Sequence, residues 1–361
     1  MDHLAELKEF ARLHAGGQGL TAAQVGRVLR HVHDDEPGSP RSWARVWTAE
    51  GDALAARGET LAACQHYTLA RFPYPGDPER VHAQQRAVAA FDEWRTGTGG
   101  IERLTLHHPA GSVAAWAAGL DARRPRPLLV VMGGIVSVKE QWAQALPAFA
   151  KLGFAAVVSE MPGVGENTLQ YGPDSWRLLP WLVNQFQGRA DTNDVSMLTL
   201  SFSGNLALRA AVDDPRIRRI LTVGAPVSRF FTDESWWHQA PRITKDTLAR
   251  LSGTPDHDSA FATLRGLALD APTLSAIRVP VRYVVSRRDE IIPAADPELL
   301  AAAAPRAKFR RFDDVHGSPA HLNAMRRWLV LSLLRLRAVD RFRRARVAGP
   351  ASPVLTGSAE P

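Results

Sequence analysis

One cysteine, Cys64, among 361 residues cannot close an intramolecular disulfide. A disulfide-stapled extracellular scaffold and a cysteine-rich zinc site are therefore excluded, and a reducing cytoplasm is the compartment that fits. No apolar run reaches about 18 residues, so no membrane span is expected. The opening MDHLAELKEFARLH alternates charge where a secretory leader would place a basic start and an apolar core. Basic stretches interleaved with aromatics, the footprint of a nucleic-acid surface, are also missing. The net charge of +7 comes from scattered Arg and Lys, densest in RLRAVDRFRRARV, which reads as a solvated basic helix.

What is present is a globular composition, 45% hydrophobic and 22% charged, in a chain long enough for a catalytic domain with an appended cap. Residues 1–98 carry no strand signal. Trp43, Trp47, Leu54, Leu61 and Leu69 recur at helical spacing, and SWARVWTAEGDALAARGETLAACQHYTLARFPYP predicts a helical hairpin within an N-terminal helical cap. The pattern changes at GTGG (97–100). IERLTLHHP and SVAAWAAGL alternate as an antiparallel pair turned at PAG. Five β-branched runs then follow, RPLLVVMGG, GFAAVVSEMPG, VSMLTLS, IRRILTVGAP and VPVRYVVSRRD, separated by helix-compatible segments. Such alternation predicts an α/β domain over 99–345, with a mostly parallel sheet flanked by helices. The stretch of about 230–270 is too long for a plain connection and predicts a helical insertion at the sheet's carboxyl edge. Residues 346–361, rich in Pro, Gly and Ser, read as a flexible tail.

In VSMLTLSFSGNLALRAAV a strand runs straight into a helix, and Ser201 stands at the junction. The elbow that exposes a nucleophilic serine ordinarily reads G-x-S-x-G, because the flanking positions lie close to neighbouring backbone. Thr199 and Ser203 occupy those positions here, with Gly204 next. Ser203 is the rival nucleophile, and simple capping of the helix by both serines is the alternative without chemistry.

A serine hydroxyl needs an imidazole to remove its proton, and in this strand–helix setting the acid and then the histidine follow it in the chain. Asp289 leaves the strand VPVRYVVS through RRDEIIP, with Glu290 as the alternative acid. His316 lies in the loop of KFRRFDDVHGSPAHL, with His321 as its competitor at the start of the last helix. Two backbone N–H groups should meet the developing oxyanion. Phe202 supplies one. The other comes from MGGIVSVKE, where the paired glycines permit close approach; Ile135 is assigned and Gly134 is the second choice. Phe230, Phe231, Trp236 and Trp237 suggest an apolar pocket wall, with Phe231 and Trp236 as candidate substrate contacts.

Together the hairpin WARVWTAEGDALAARG, VVMGGIVSVKE, EMPGVGEN, LTLSFSGNLALRAA and the placements of Asp289 and His316 resemble the α/β-hydrolase superfamily. The resemblance is to the branch of the fermentation-respiration switch esterase and the dihydropseudooxynicotine hydrolases, and it covers roughly residues 40–335. In that branch the segment after the paired glycines commonly reads like S-T-K-E-E, so Lys139 and Glu140 match, and Glu140 becomes a candidate pocket residue; a glutamate complementing a helix N-terminus is the equal alternative. EMPGVGEN departs from the usual D-x-P-G-x-G-x-S at Glu160 and Asn167, which leaves it a structural turn. The resemblance implies ester hydrolysis, carbon–carbon cleavage beside a carbonyl, or polyketide trimming, and some tetronate-assembly relatives eliminate acetate. It implies a small, polyketide-like specialised metabolite as substrate, no metal or organic cofactor, and room for a homodimer formed through the N-terminal helices. The replaced elbow glycines also keep an inactive binding protein among the alternatives.

Overall fold

The computed structural model describes residues 3–347. Its first part is helical: α1 (His3–Gln18), α2 (Ala22–Leu29), α3 (Trp43–Ala55), α4 (Thr60–Ala70) and α5 (Pro78–Thr98). The chain turns between α3 and α4 at Gly58, whose φ of 75° favours glycine. Gly51 brings the two helices so close that a Cβ would stand 2.6 Å from the Tyr67 ring. Trp43 and Trp47 are fully buried, and the Trp43 indole N–H donates to the Leu69 carbonyl at 2.7 Å. Asp77 caps α5 by accepting from the Arg80 N–H at 2.9 Å, with Pro78 in the first turn, where a missing N–H does no harm.

Strands begin at β1 (Glu102–His108) and β2 (Gly111–Ala118), the predicted antiparallel pair. Next come β3 (Pro127–Met132), α6 (Glu140–Ala143), α7 (Leu146–Lys151), β4 (Ala155–Ser159), α8 (Leu178–Asn184), β5 (Asp191–Leu200), α9 (Phe202–Asp213) and β6 (Ile217–Val223). The insertion is built from α10 (Arg229–Thr232), α11 (Glu234–Gln239), α12 (Arg242–Ser252), α13 (His257–Leu264) and α14 (Ala271–Ala276). The chain returns through β7 (Val281–Ser286), α15 (Ala295–Ala303) and β8 (Ala307–Phe312) to α16 (Leu322–Val347). The last helix thus runs through 346 and 347, the first two residues of the expected flexible tail. The rest of the expected flexible tail lies outside the described residues.

One eight-stranded sheet takes the order β1-β2-β4-β3-β5-β6-β7-β8, parallel from β4 onward. Alternate side chains of each strand enter two different apolar layers. Val130, Met197 and Ile220 pack on one face, and Leu129, Val131 and Leu221 on the other, as a sheet covered on both sides requires. The strand order reverses at β3, which pairs with β4 on one side and β5 on the other. Met132 and Thr199 are register partners there, so the loops leaving β3 and β5 emerge side by side at the carboxyl edge, where a crevice opens in such sheets.

Two devices fix what lies above that edge. Buried Asp296 accepts from the N–H groups of Val227, Ser228, Arg229 and Phe230 at 2.6–3.3 Å, tying the start of the insertion to α15. Helix α1 rests against α6, α12 and the segment Pro319–His321. Glu6 accepts from the Ile243 N–H at 3.3 Å, and Arg326 donates to the Gly17 carbonyl at 2.6 Å. No helix among the described residues is long and apolar enough to cross a membrane.

Candidate active site

β5 ends at Leu200 and α9 begins at Phe202, leaving Ser201 alone to turn the chain, with φ 57° and ψ −129°. A non-glycine residue held there carries roughly 1–3 kcal/mol of strain, which surrounding packing must sustain. Ser203 is fully buried, and its hydroxyl reaches the carbonyls of Met132 and Leu200 at 2.9 and 3.0 Å. The rival serine is thus a brace for the turn. The close approach that an elbow glycine would serve is made one residue later. A Cβ on Gly204 would stand 2.2 Å from Thr222 Oγ1 and 2.6 Å from Ala225 Cβ, so α9 can press on β6 only with glycine at 204.

The Ser201 Oγ lies 3.0 Å from His316 Nε2. On the other side of the ring, Nδ1 lies 2.9 and 3.0 Å from the two Asp289 oxygens. Asp289 Oδ1 also accepts from the Ile291 and Ile292 N–H groups at 3.0 and 2.8 Å, which fixes the carboxylate within its loop. Glu290 takes a different part: its carboxylate accepts from the His316 backbone N–H at 2.9 Å and braces the histidine loop. His321 pairs with Asp314 at 2.9 Å, away from Ser201. Burial of the His316 ring opposes its charging, but the adjacent Asp289 carboxylate outweighs this and leaves its pKa above the ordinary 6.5.

Gly134 lies against the serine: a Cβ there would be 3.0 Å from Ser201 Cβ and 3.4 Å from its Oγ. Ile135, next in the loop, is buried, and the Ser137 N–H closes the turn on the Gly134 carbonyl at 3.1 Å. Phe202 opens α9, so its N–H has no acceptor within the helix.

Glu140 stands behind this loop. Its carboxylate meets the Trp116 indole N–H at 3.0 Å and the Lys139 ammonium at 2.8 Å. Lys139, completely buried, also pairs with Glu166 at 2.6 Å and lies 3.5 Å from Glu160. Glu160 in turn accepts from the backbone N–H groups of Lys139 and Glu166, both at 3.0 Å. Burial pushes the Glu160 carboxyl up to about 7 despite Lys139. Glu140 thus stands beneath the loop with its carboxylate engaged by Trp116 and Lys139. Phe231 is buried with its ring centroid 6.3 Å from Phe202 and 5.2 Å from Phe230. Trp236, half-buried, donates its indole N–H to the Ile291 carbonyl at 2.8 Å, bracing the Asp289 loop.

Three residues here were not marked in the sequence. Gly224, at the end of β6 with φ 56°, backs the imidazole; a Cβ would stand 2.7 Å from His316 Cε1 and 3.4 Å from Asp289 Oδ2. Arg71, buried at the end of α4, donates to the Val136 carbonyl and, at 2.9 Å, to that of Pro73. His14 of α1 is held uncharged, its pKa lowered to about 4 by burial and then by the positive charges of His316 and Arg71.

Comparison with known proteins places this geometry in a lineage. The profile described as Esterase FrsA-like matches residues 41–312. The chain belongs to the FrsA-like esterase family. Esterase FrsA of Photobacterium profundum is 26% identical over 217 residues, a match that spans 58% of this chain and 52% of that protein. Among solved structures, wild-type AbyA5 is 48% identical and superposes with a TM-score of 0.90, covering 96% of this chain and 98% of its own. The 2,6-dihydroxy-pseudo-oxynicotine hydrolase shares the fold, with a TM-score of 0.67, 19% identity and coverage of 86% and 91%. This FrsA-like chain thus has the α/β-hydrolase fold, with five helices preceding the first strand.

Proposed function

We propose that this FrsA-like chain is a serine hydrolase that transfers the acyl group of an ester or activated carbonyl compound to water. The observation that carries the reading is the continuous run Ser201–His316–Asp289, with contacts of 3.0 and 2.9 Å, on a serine held at positive φ. His316 Nε2 takes the Ser201 proton as Oγ attacks the carbonyl carbon, and Asp289 stabilises the imidazolium and fixes its tautomer. The Ile135 and Phe202 N–H groups receive the oxyanion, with Gly134 leaving the space in which it forms. Collapse of the tetrahedral intermediate returns the proton to the departing alcohol. Water, deprotonated by the same imidazole, then releases the acid and restores Ser201. None of these steps calls for a metal or organic cofactor. The buried aromatic side of the site, Phe202, Phe230 and Phe231, supports an apolar, medium-sized substrate such as a polyketide-like specialised metabolite.

A second reading, elimination of acetate from an acetylated tetronate-type intermediate, is favoured by the enclosure of the centre. Only 15% of the His316 side chain and 7% of that of Asp289 are exposed, which restricts the water that hydrolysis consumes and elimination does not. Labelling with a fluorophosphonate tests the shared nucleophile: the native protein should be modified at Ser201 and Ser201→Ala should not. A Ser201→Ala variant that labels equally would end both serine readings. With an acetylated substrate, an alcohol product marks hydrolysis and an alkene marks elimination.

A further inference from the structure

The loop after β3 is fixed at both ends from within the sheet domain. At its start the Ser203 hydroxyl donates to the Met132 carbonyl at 2.9 Å, and at its end the Lys139 N–H donates to Glu160 at 3.0 Å. Between these ties the chain makes a tight turn, closed by the Ser137 N–H on the Gly134 carbonyl, with Ile135 and Val136 at its centre. Gly134 abuts Ser201, so the tilt of this turn decides where the Ile135 N–H points relative to the serine. A turn bonded only to itself can pivot as a unit about its flanking bonds. What opposes the pivot is a hold on the Val136 carbonyl. Its one recorded donor among the described residues is the Arg71 guanidinium, which reaches in from the end of α4.

Arg71 is a costly means of holding one carbonyl. It is 1% exposed, its Nε has no acceptor, and no ion pair among the described residues includes it. Burial brings its pKa down to about 10, which still leaves it charged at neutral pH. A cation taken out of water without a contact anion weighs against stability. What the guanidinium adds is geometry. Nη1 donates to the Pro73 carbonyl at 2.9 Å while Nη2 takes that of Val136, so one planar fork joins the chain leaving α4 to the loop beside the serine. The Pro73 side of the fork is itself secured. Arg80 Nε donates to the Phe72 carbonyl at 3.2 Å, and Arg80 pairs with Asp77 at 2.8 Å.

We propose that Arg71 is a positioning residue for the reaction at Ser201: through the Val136 carbonyl it fixes the turn that presents the Ile135 N–H to the oxyanion. The proposal rests on the serine-hydrolase reading. The helices that precede the sheet thereby serve catalysis without lining the site, since the arginine acts through the loop and meets no substrate.

The test follows p-nitrophenyl butyrate hydrolysis by the full chain, with kcat counted per serine titrated by a fluorophosphonate, so that unfolded protein does not enter. Arg71→Met keeps an apolar stem and removes both donors. A misplacement of about 1 Å costs up to about 10²-fold, so kcat should fall by about tenfold or more. KM should stay within about threefold, because the oxyanion exists only after attack. Arg71→Lys, with one ammonium for two carbonyls, should stand between Arg71→Met and the wild type. Gly58→Ala is the control: at φ 75° in the α3–α4 turn it strains the same helices without touching the loop, and its kcat should match the wild type. An unchanged kcat in folded Arg71→Met, a loss confined to KM, or an equal loss in Gly58→Ala would overturn the proposal. If circular dichroism shows Arg71→Met unfolded, Arg71→Lys decides, and a kcat equal to the wild type overturns it. Where the ester is not turned over, the rate of fluorophosphonate labelling replaces kcat. If Ser201 also resists the label, the serine reading fails, and positioning is read by hydrogen exchange. Amides 133–139 should then exchange faster by about tenfold or more in the folded Arg71 variant and as in the wild type in Gly58→Ala; an unchanged rate would overturn it.

Discussion

At the scale of single residues, the chemistry depends on which form of His316 is present. In the proposed mechanism the neutral ring is the base, so kcat/KM should rise with pH through its pKa, and the midpoint should fall above the ordinary 6.5 because Asp289 favours the charged ring. Asp289→Asn should move that midpoint down and reduce kcat by about 10⁴-fold, seen in a pH–rate profile on any turned-over ester. The same pair affects folding with a definite sign. A raised histidine pKa stabilises the native state fully below the unfolded-state value, and the contribution disappears as pH rises through the folded one. Gly224→Ala offers a second residue-level check. The new methyl would meet the His316 ring in a backbone conformation that alanine resists, so kcat should fall more than about tenfold while thermal stability drops by roughly 1–3 kcal/mol. Unchanged kcat would show that the imidazole is not held from behind.

At the scale of elements, the loop after β3 is supported by a buried charge cluster, and the cluster makes its own prediction. Lys139→Met would leave Glu140, Glu160 and Glu166 facing one another without their cation, and breaking such a buried arrangement costs about 3–5 kcal/mol. The loss should be smaller at pH 5 than at pH 8, because Glu160, already pushed up to about 7, would take up a proton as pH falls. Denaturant melts at the two pH values measure it; equal losses would argue against the cluster. Strands and their kinds of pairing were legible because β-branched runs and the tight turn at 109–111 declare themselves locally. Ser201, Asp289 and His316 were legible because each stands where an apolar run gives way to a loop, in a fixed chain order. The order of strands was not, since nothing local tells β3 to lie between β4 and β5. The surroundings of Glu140 were hidden for a related reason: matching a motif says which residue is present, and only the fold shows that Trp116 and Lys139 hold its carboxylate. The replaced elbow glycines misled less than they threatened to, because the packing they would serve is carried by Gly204.

At the scale of the whole molecule, Arg71 holds the Val136 carbonyl and Gly224 backs the His316 ring from distant parts of the chain, which is why no single window of sequence pointed to them. The N-terminal helix also meets the C-terminal one. Gly16 lies 3.9 Å from Leu322 when given a Cβ, and Arg326 reaches the Gly17 carbonyl. Apart from the buried Glu6, the polar ties of α1 are largely peripheral: Lys8 on the Val32 carbonyl at 2.7 Å, a His3–Asp35 contact at 3.3 Å and the Arg326 bond. What keeps α1 in place is thus mainly its apolar face, with Leu7, Ala11 and Ala15 fully out of water, so its hold should weaken on cooling as contacts of that kind do.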